Sequence, residues 1–237
     1  LYANILWIKR KVMSTEQVAA CLKKGRGRPK QFDREIALDK ALDLFWRHGY
    51  EATSMSDLVD ATGAKAPTLY AEFGNKEGLF RAAVDRYVTK FAEKGKALLS
   101  RPGSTVAESV ESFFRSVAAM FTDKNLPSGC FIICTSSALA ASSEDVAQML
   151  KCRHHLQENT LKEFLLQRQA QGEVPAAVSV PTLAKYLACT LQGMSVQARD
   201  GATLDDLNAI VSTLMAVWPH MVRLGVEQPS AKLAVEA

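Results

Sequence analysis

"HGYEATSMSDLVDATGAKAPTLYAEFGNKEGLF", residues 48–80, holds two short helical runs divided by a single glycine. Thr53 or Ser54 is placed to cap the first run, which turns Met55, Leu58, Val59 and Thr62 inward. Gly63 stops it after about two turns, because only glycine enters the left-handed region without a steric cost. Ala66-Pro67 opens the second run, since proline is tolerated in a first turn, and the run ends at Phe73 before Gly74. Asn75 then caps a further, long helix with an inward stripe of Phe80, Val84, Tyr87, Phe91 and Leu98. Two short helices joined at a tight turn form either a plain helical hairpin or a helix–turn–helix, whose second member enters a DNA major groove. Val59, Gly63 and Leu69 supply the small and apolar positions that fix such a crossing. The outward residues Lys65, Ala66, Thr68, Tyr70 and Ala71 include no carboxylate.

Working outward, every segment keeps the helical period. Asp33 can cap a helix to about His48 with Leu38, Ala41, Leu42 and Phe45 on one face. "SRPGS" (100–104) is a hinge by composition, followed by helical segments near 105–122, 129–141 and 143–171. "VPAAVSVP" (174–181) is a loop, and the last two helices cover about 181–199 and 203–224. No alternating apolar run is bounded by hairpin residues, so the expected fold is all-α. The expected organisation is a basic arm over residues 1–30, a reader domain over 31–78, a second helical domain over 79–225, and a tail over 226–237.

Charge is distributed unevenly. Residues 1–76 carry 13 Lys/Arg against 9 Asp/Glu, and the remainder is balanced at 16 against 16. The net +4 therefore sits wholly in the first third, which suits a polyanionic partner. Within "KKGRGRPKQFD" (23–33), Gly-Arg-Gly-Arg-Pro resembles an AT-hook core. Glycines there let the backbone follow a narrow minor groove, with Arg26 and Arg28 along its floor. Five cysteines without metal-finger or disulfide spacing point to a reducing, cytoplasmic setting. No apolar stretch approaches the roughly 20 residues of a membrane span. The ordinary-looking "MSTEQ" raises a translation start at Met13 as an expectation.

The 37–80 stretch, with its landmarks Phe45, "HGYEATSM", "ATGAKAPTLYAEF" and "NKEGLF", resembles the N-terminal domain of TetR/AcrR-type transcriptional regulators. The resemblance implies a three-helix DNA reader joined by a fourth helix to a divergent ligand-binding domain. It also implies a homodimer on double-stranded DNA at a pseudopalindromic operator, released by an unidentified small-molecule effector. Lys76 opens the fourth helix, where its charge opposes the helix dipole but adds a cation to a ready-made anion site. The family's lysine at this position contacts the DNA backbone; a solvated lysine offset by Glu77 is the other reading. Tyr70 can reach a phosphate or pack against Phe73, and Thr53 can cap, contact phosphate, or both. Lys65 and Thr68 lie where base edges would be read, with Ala66 beside them on the DNA-binding face.

In the second domain, the penultimate helix carries Leu183, Leu187, Leu191 and Met194, with Tyr186, Cys189 and Gly193 on another side. The last helix carries Leu204, Leu207, Val211, Leu214, Trp218 and Met221, beside a second stripe of Ile210, Val217 and Leu224. Helices apolar over two stripes need two partners. The expectation is a twofold four-helix interface through Leu183, Tyr186, Leu187, Leu191, Met194, Leu207, Val211, Leu214 and Trp218. Pro219 is expected to kink the last helix. An apolar effector pocket is expected from Phe113, Val117, Met120, Phe121, Ile133 and Leu156. Cys130, Cys134, Cys152, His154 and His155 raise a redox or metal switch, but buried cysteine more often serves as a small apolar residue. No metal and no cofactor is expected. No nucleophile–base pair and no phosphate loop stands out, so no catalysis is assigned.

Overall fold

The computed structural model describes residues 32–136 and 144–223. The arm with Arg26 and Arg28, Cys21, Leu224 and the tail lie outside the described residues. The chain divides at Asp33 into two units, of which the second, Arg34–Ala237, carries every helix described. These are α1 (Arg34–His48), α2 (Met55–Thr62), α3 (Ala66–Phe73), α4 (Lys76–Tyr87), a π-helical turn (Val88–Ala92), α5 (Glu93–Leu99), α6 (Val106–Phe121), α7 (Phe131–Ser136), α8 (Glu144–Ala170), α9 (Val180–Arg199) and α10 (Leu204–Met221). No strand occurs among the described residues.

Local chemistry sets the starts of the helices. Ser54, Thr105 and Thr203 each accept from the backbone N–H three residues on, while Asp57, Glu108 and Asp206 accept in return from the capping residue's own N–H. Each reciprocal pair satisfies donors that the first turn leaves free. Asn75 caps α4 by accepting from Gly78 N–H at 2.8 Å. At Gly63 the backbone turns left-handed (φ 69°), which ends α2 and aims the chain into α3.

Aromatic packing joins α1 to the rest. Phe45 meets Phe80 edge-on at 5.0 Å, and Trp46 meets Tyr87 and Phe91 edge-on at 5.1 and 5.6 Å. Phe131 of α7 closes the cluster against Trp46, Phe80 and Tyr87. Such pairs are worth about 0.5–1.5 kcal/mol each beyond burial. Outside this apolar seam, Arg86 forks onto Asp39 at 3.0 and 3.1 Å, and Lys90 reaches the same carboxylate at 3.1 Å. Hydrogen bonding from Arg86 holds the Asp39 carboxyl below its ordinary range. Its stabilisation is therefore present above the usual carboxylate pKa and lost as pH falls through the lowered one. Because this seam spans α1, α4 and α7, residues from Arg34 onward pack as one unit. No division between packed units falls at the expected 78/79 line.

Burial corrects the expected dimer residues. Leu183, Leu187, Leu191, Met194, Leu207, Val211, Leu214 and Trp218 are all 6% exposed or less, because α9 and α10 use this broad stripe against α6, α7, α8 and each other. They form the chain's own core. Of the nine, Tyr186 remains exposed, at 47%. Leu204, expected inward, is exposed as well. Pro219 falls in the final turn of α10, and the helix runs on to Met221.

The α3–α4 corner generates a stability test. A Cβ at Gly78 would lie 2.0 Å from the Phe73 carbonyl oxygen, a backbone atom that cannot move aside. Gly78→Ala should lower unfolding stability by about 2 kcal/mol, read by urea denaturation, where most helical glycine-to-alanine changes stabilise.

Candidate nucleic-acid interface and effector cavity

The α2–α3 pair is held from beneath by Leu58 and Leu69, which are 0% and 1% exposed. That packing turns Lys65, Pro67, Tyr70, Ala71 and Glu72 of the second helix to the surface, while Ala66 and Thr68 are half-buried. The one carboxylate of α3, Glu72, accepts from Arg34 Nε at 2.7 Å, so the outer face carries no unpaired negative charge. Lys65 occupies the N-cap position without capping through its side chain, and its ammonium is free to reach outward. Tyr70 is 48% exposed; its ring is open to solvent and does not stack on Phe73.

Two expectations change here. Thr53 is 1% exposed and its hydroxyl donates to the Gly49 carbonyl at 2.7 Å, which removes it from any phosphate contact. The exposed capping residue is Ser54. Lys76 is not offset by Glu77, which pairs with Arg81 at 2.6 Å. Instead its ammonium lies 4.3 Å from the centroid of the Tyr50 ring, and it makes no ion pair among the described residues. Tyr50 is itself braced by Phe80 at 5.0 Å and Phe45 at 6.2 Å. The quadrupole of the ring attracts the cation and leaves its charge uncancelled beside the free N–H groups of α4. Sequence reasoning missed Tyr50; the available signal was an aromatic directly after the helix-ending Gly49.

Below the reader lies a cavity of about 470 Å³. Phe113, Val117, Met120, Phe121 and Leu156 line it as expected. Ile133 does not: one residue along a helix rotates the side chain by about 100°, and its neighbour Ile132 faces the cavity. Tyr87, Val88 and Phe91 contribute the wall nearest the reader, so α4 and the π-helical turn carry both cavity and reader contacts. π turns inside helices recur at functional sites. Gly95 allows Phe113 close to the α5 backbone, 3.0 Å from where a Cβ would stand.

Two buried polar groups meet at the inner wall, where the Tyr87 hydroxyl donates to Cys130 Sγ at 3.3 Å. Burial raises the Tyr87 hydroxyl well above its ordinary pKa and raises the Cys130 thiol as well, so both are neutral at physiological pH. Charged groups, among them Lys94, Asp123 and Arg153, also border the cavity. His154 approaches Ser136 Oγ at 3.4 Å, and burial lowers its pKa. Cys152 is exposed, away from buried Cys130. Among the described residues no group of three or more His, Cys, Asp or Glu gathers at one point, and no helix is long and apolar enough to cross a membrane.

The last two helices present a second, exposed stripe. On α9 it runs through Tyr186, Cys189, Gly193 and Val196; on α10 Thr213 and Val217 are exposed and Ile210 is half-buried. Gly193 costs helix stability and a Cβ there would meet nothing within 4 Å, so no contact inside the chain calls for glycine.

Residues 37–83 match the family model described as "Bacterial regulatory proteins, tetR family", and residues 107–207 match "Tetracyclin repressor-like, C-terminal domain". Over 203 residues, 86% of this chain and 97% of the relative, the sequence is 54% identical to the HTH-type transcriptional repressor ComR of Escherichia coli (strain K12). The HTH-type transcriptional repressor BdcR of the same organism is 26% identical over 183 residues, 77% of this chain and 87% of the relative. Among solved structures, the TetR family transcriptional regulator CifR, a cysteine mutant complexed with 26bp double-strand operator DNA, superposes with a TM-score of 0.77 at 34% identity. It covers 81% of this chain and 100% of CifR.

Lys76 is a single cation held over a ring at a helix start, and its expected role at a phosphate can be counted. Lys76→Gln should reduce the slope of log affinity against log salt by roughly 0.9 on duplex DNA, without altering the thermal midpoint. Filter binding across a salt series reads the first quantity and circular dichroism the second.

Proposed function

This chain belongs to the TetR family of bacterial regulatory proteins, and on that premise we propose that it is an effector-released repressor which binds a pseudopalindromic operator as a homodimer. The observation that carries the reading is the α2–α3 pair, with a recognition surface cleared of unpaired carboxylate and Lys76 held uncancelled at the next helix start. Lys65, Ala66, Thr68 and Tyr70 address the major groove; Lys65 offers donors to guanine, and Thr68 a hydroxyl or a methyl. Lys76 and Ser54 address the phosphates on either side. Arg26 and Arg28 extend the contact into the adjacent minor groove.

Pairing of two copies uses the exposed stripe of α9 and α10, not the buried leucines. In this reading the exposed Tyr186, Cys189, Gly193, Val196, Thr213 and Val217 face their counterparts across a twofold axis, and open space at Gly193 permits close approach of the helix backbones. The resulting pair of reading heads must fall about one DNA turn apart, ~34–36 Å, or a multiple of it.

The effector occupies the 470 Å³ cavity. Its wall includes Tyr87, Val88 and Phe91, and Tyr87 and Phe91 pack on Trp46 of the reader. A ligand that fits the wall better in one setting of α4 biases the reader toward that setting, and release follows only from that difference in affinity. The neutral inner wall favours an uncharged, largely apolar molecule with one polar group opposite Tyr87 and Cys130.

Two outcomes are expected. Selection from a randomised duplex pool should enrich an inverted repeat, and a footprint on DNA flanking the gene should recover the same sequence. Val196→Glu should leave the fold intact but shift sedimentation to the single-chain mass and abolish binding to the selected repeat. A dimer that survives this change contradicts the assigned interface.

A further inference from the structure

α9 ends at Arg199, and the guanidinium there reaches out of its own helix to the reader. Nη1 donates to the Trp46 carbonyl at 2.9 Å and Nη2 to the Arg47 carbonyl at 3.0 Å. Both carbonyls belong to the last turn of α1, where the helix offers them no N–H of its own. Gly49, with φ 82°, takes the preceding Phe45 carbonyl at 2.8 Å and ends the helix sharply. Of the carbonyls left over, those of Trp46 and Arg47 accept from the fork. A planar guanidinium spans two adjacent acceptors at once, which an ammonium does not do in fixed geometry. Its charge also sits at the negative end of the α1 dipole.

The position of this contact gives it meaning. α9 carries the exposed stripe through which a second copy is proposed to pack, and α1 carries Trp46, the centre of the aromatic seam. Besides Phe131 of α7, two routes attach the reader to the body. One runs along α4 through the π-helical turn and past the cavity wall. The other runs from the proposed dimer plane straight along α9 to Arg199 and onto the end of α1.

We propose that Arg199 is a positioning residue for operator selection: it fixes the orientation of each reading head relative to the dimer plane. The proposal rests on the reading of the chain as a dimeric operator binder. Attraction to phosphates needs charge alone and tolerates many orientations of the heads. Reading two half-sites together needs one orientation and one separation. Loss of the fork therefore falls on selectivity and spares general DNA affinity. The Arg199 guanidinium is engaged on α1 and does not line the cavity, so its effect passes through α1.

The experiment compares wild type, Arg199→Gln and Arg199→Lys on two duplexes of equal length. One is selected from a randomised pool by the wild-type protein, and the other is of random sequence. Arg199→Gln should weaken binding to the selected duplex about tenfold while leaving affinity for the random duplex and its salt slope unchanged. Arg199→Lys, able to keep one of the two bonds, should fall between. Sedimentation should show a dimer in all three. Equal losses on both duplexes would assign Arg199 to general stability and overturn the proposal, as would unchanged binding to the selected duplex. A wild-type protein that enriches no sequence would instead remove the operator-binding reading itself, and this inference with it.

Discussion

The edge-on packing of Trp46 against Tyr87 is the contact on which the rest of the arrangement depends. Tyr87 ends the regular part of α4 and lines the cavity, whereas Trp46 lies in the last turns of the reader's first helix. The two rings therefore join the cavity wall directly to α1. Phe91 and Phe131 enclose the same indole, so that none of the four rings can shift alone. Close packing of this kind transmits displacement because interiors have little room to absorb it. Among the described residues the buried Trp46 Nε1 proton has no partner, a cost that the surrounding apolar contacts offset.

Electrostatics then divides the labour. Three carboxylates of the reader are paired with neighbours: Glu72 with Arg34, Asp43 with Arg47, and Asp39 with Arg86 and Lys90. Lys76 is held over a ring instead of a carboxylate, so its charge remains available. Surface pairs of this sort add little to stability. Their larger effect is local, since they occupy carboxylates that would otherwise compete for Lys65 and Lys76.

Much of this was legible in the sequence, and the limits have physical reasons. Glycine and proline punctuation and the capping candidates Asp33, Thr53 or Ser54, and Asn75 placed the helices to within a few residues, because capping is local chemistry. The cavity residues were legible as an apolar stripe on α6, whose period is fixed by the helix. Ile133 was misplaced because α7 is a helix of six residues, too short for its phase to be read. The dimer residues were misread for a different reason. Two apolar stripes on α9 and α10 were visible, but leucine content alone does not say which stripe faces inward; packing against α6, α7 and α8 settles that. Thr53 and Ser54 are adjacent and equally able to cap, and only the Gly49 carbonyl decides between them. Neither the Arg199 fork nor the Lys76–Tyr50 stack could be read, since both join residues that the chain brings together only on folding.

The account comes down to two reading heads held at one spacing by the bodies that join them. Pulsed electron-spin measurement of the distance between labels at position 71 of two copies bound to a selected duplex tests this most directly. The account predicts a single narrow distribution near one DNA turn, ~34–36 Å, or a multiple of it. The absence of any distance between copies, or a broad distribution unchanged by adding the duplex, would contradict it.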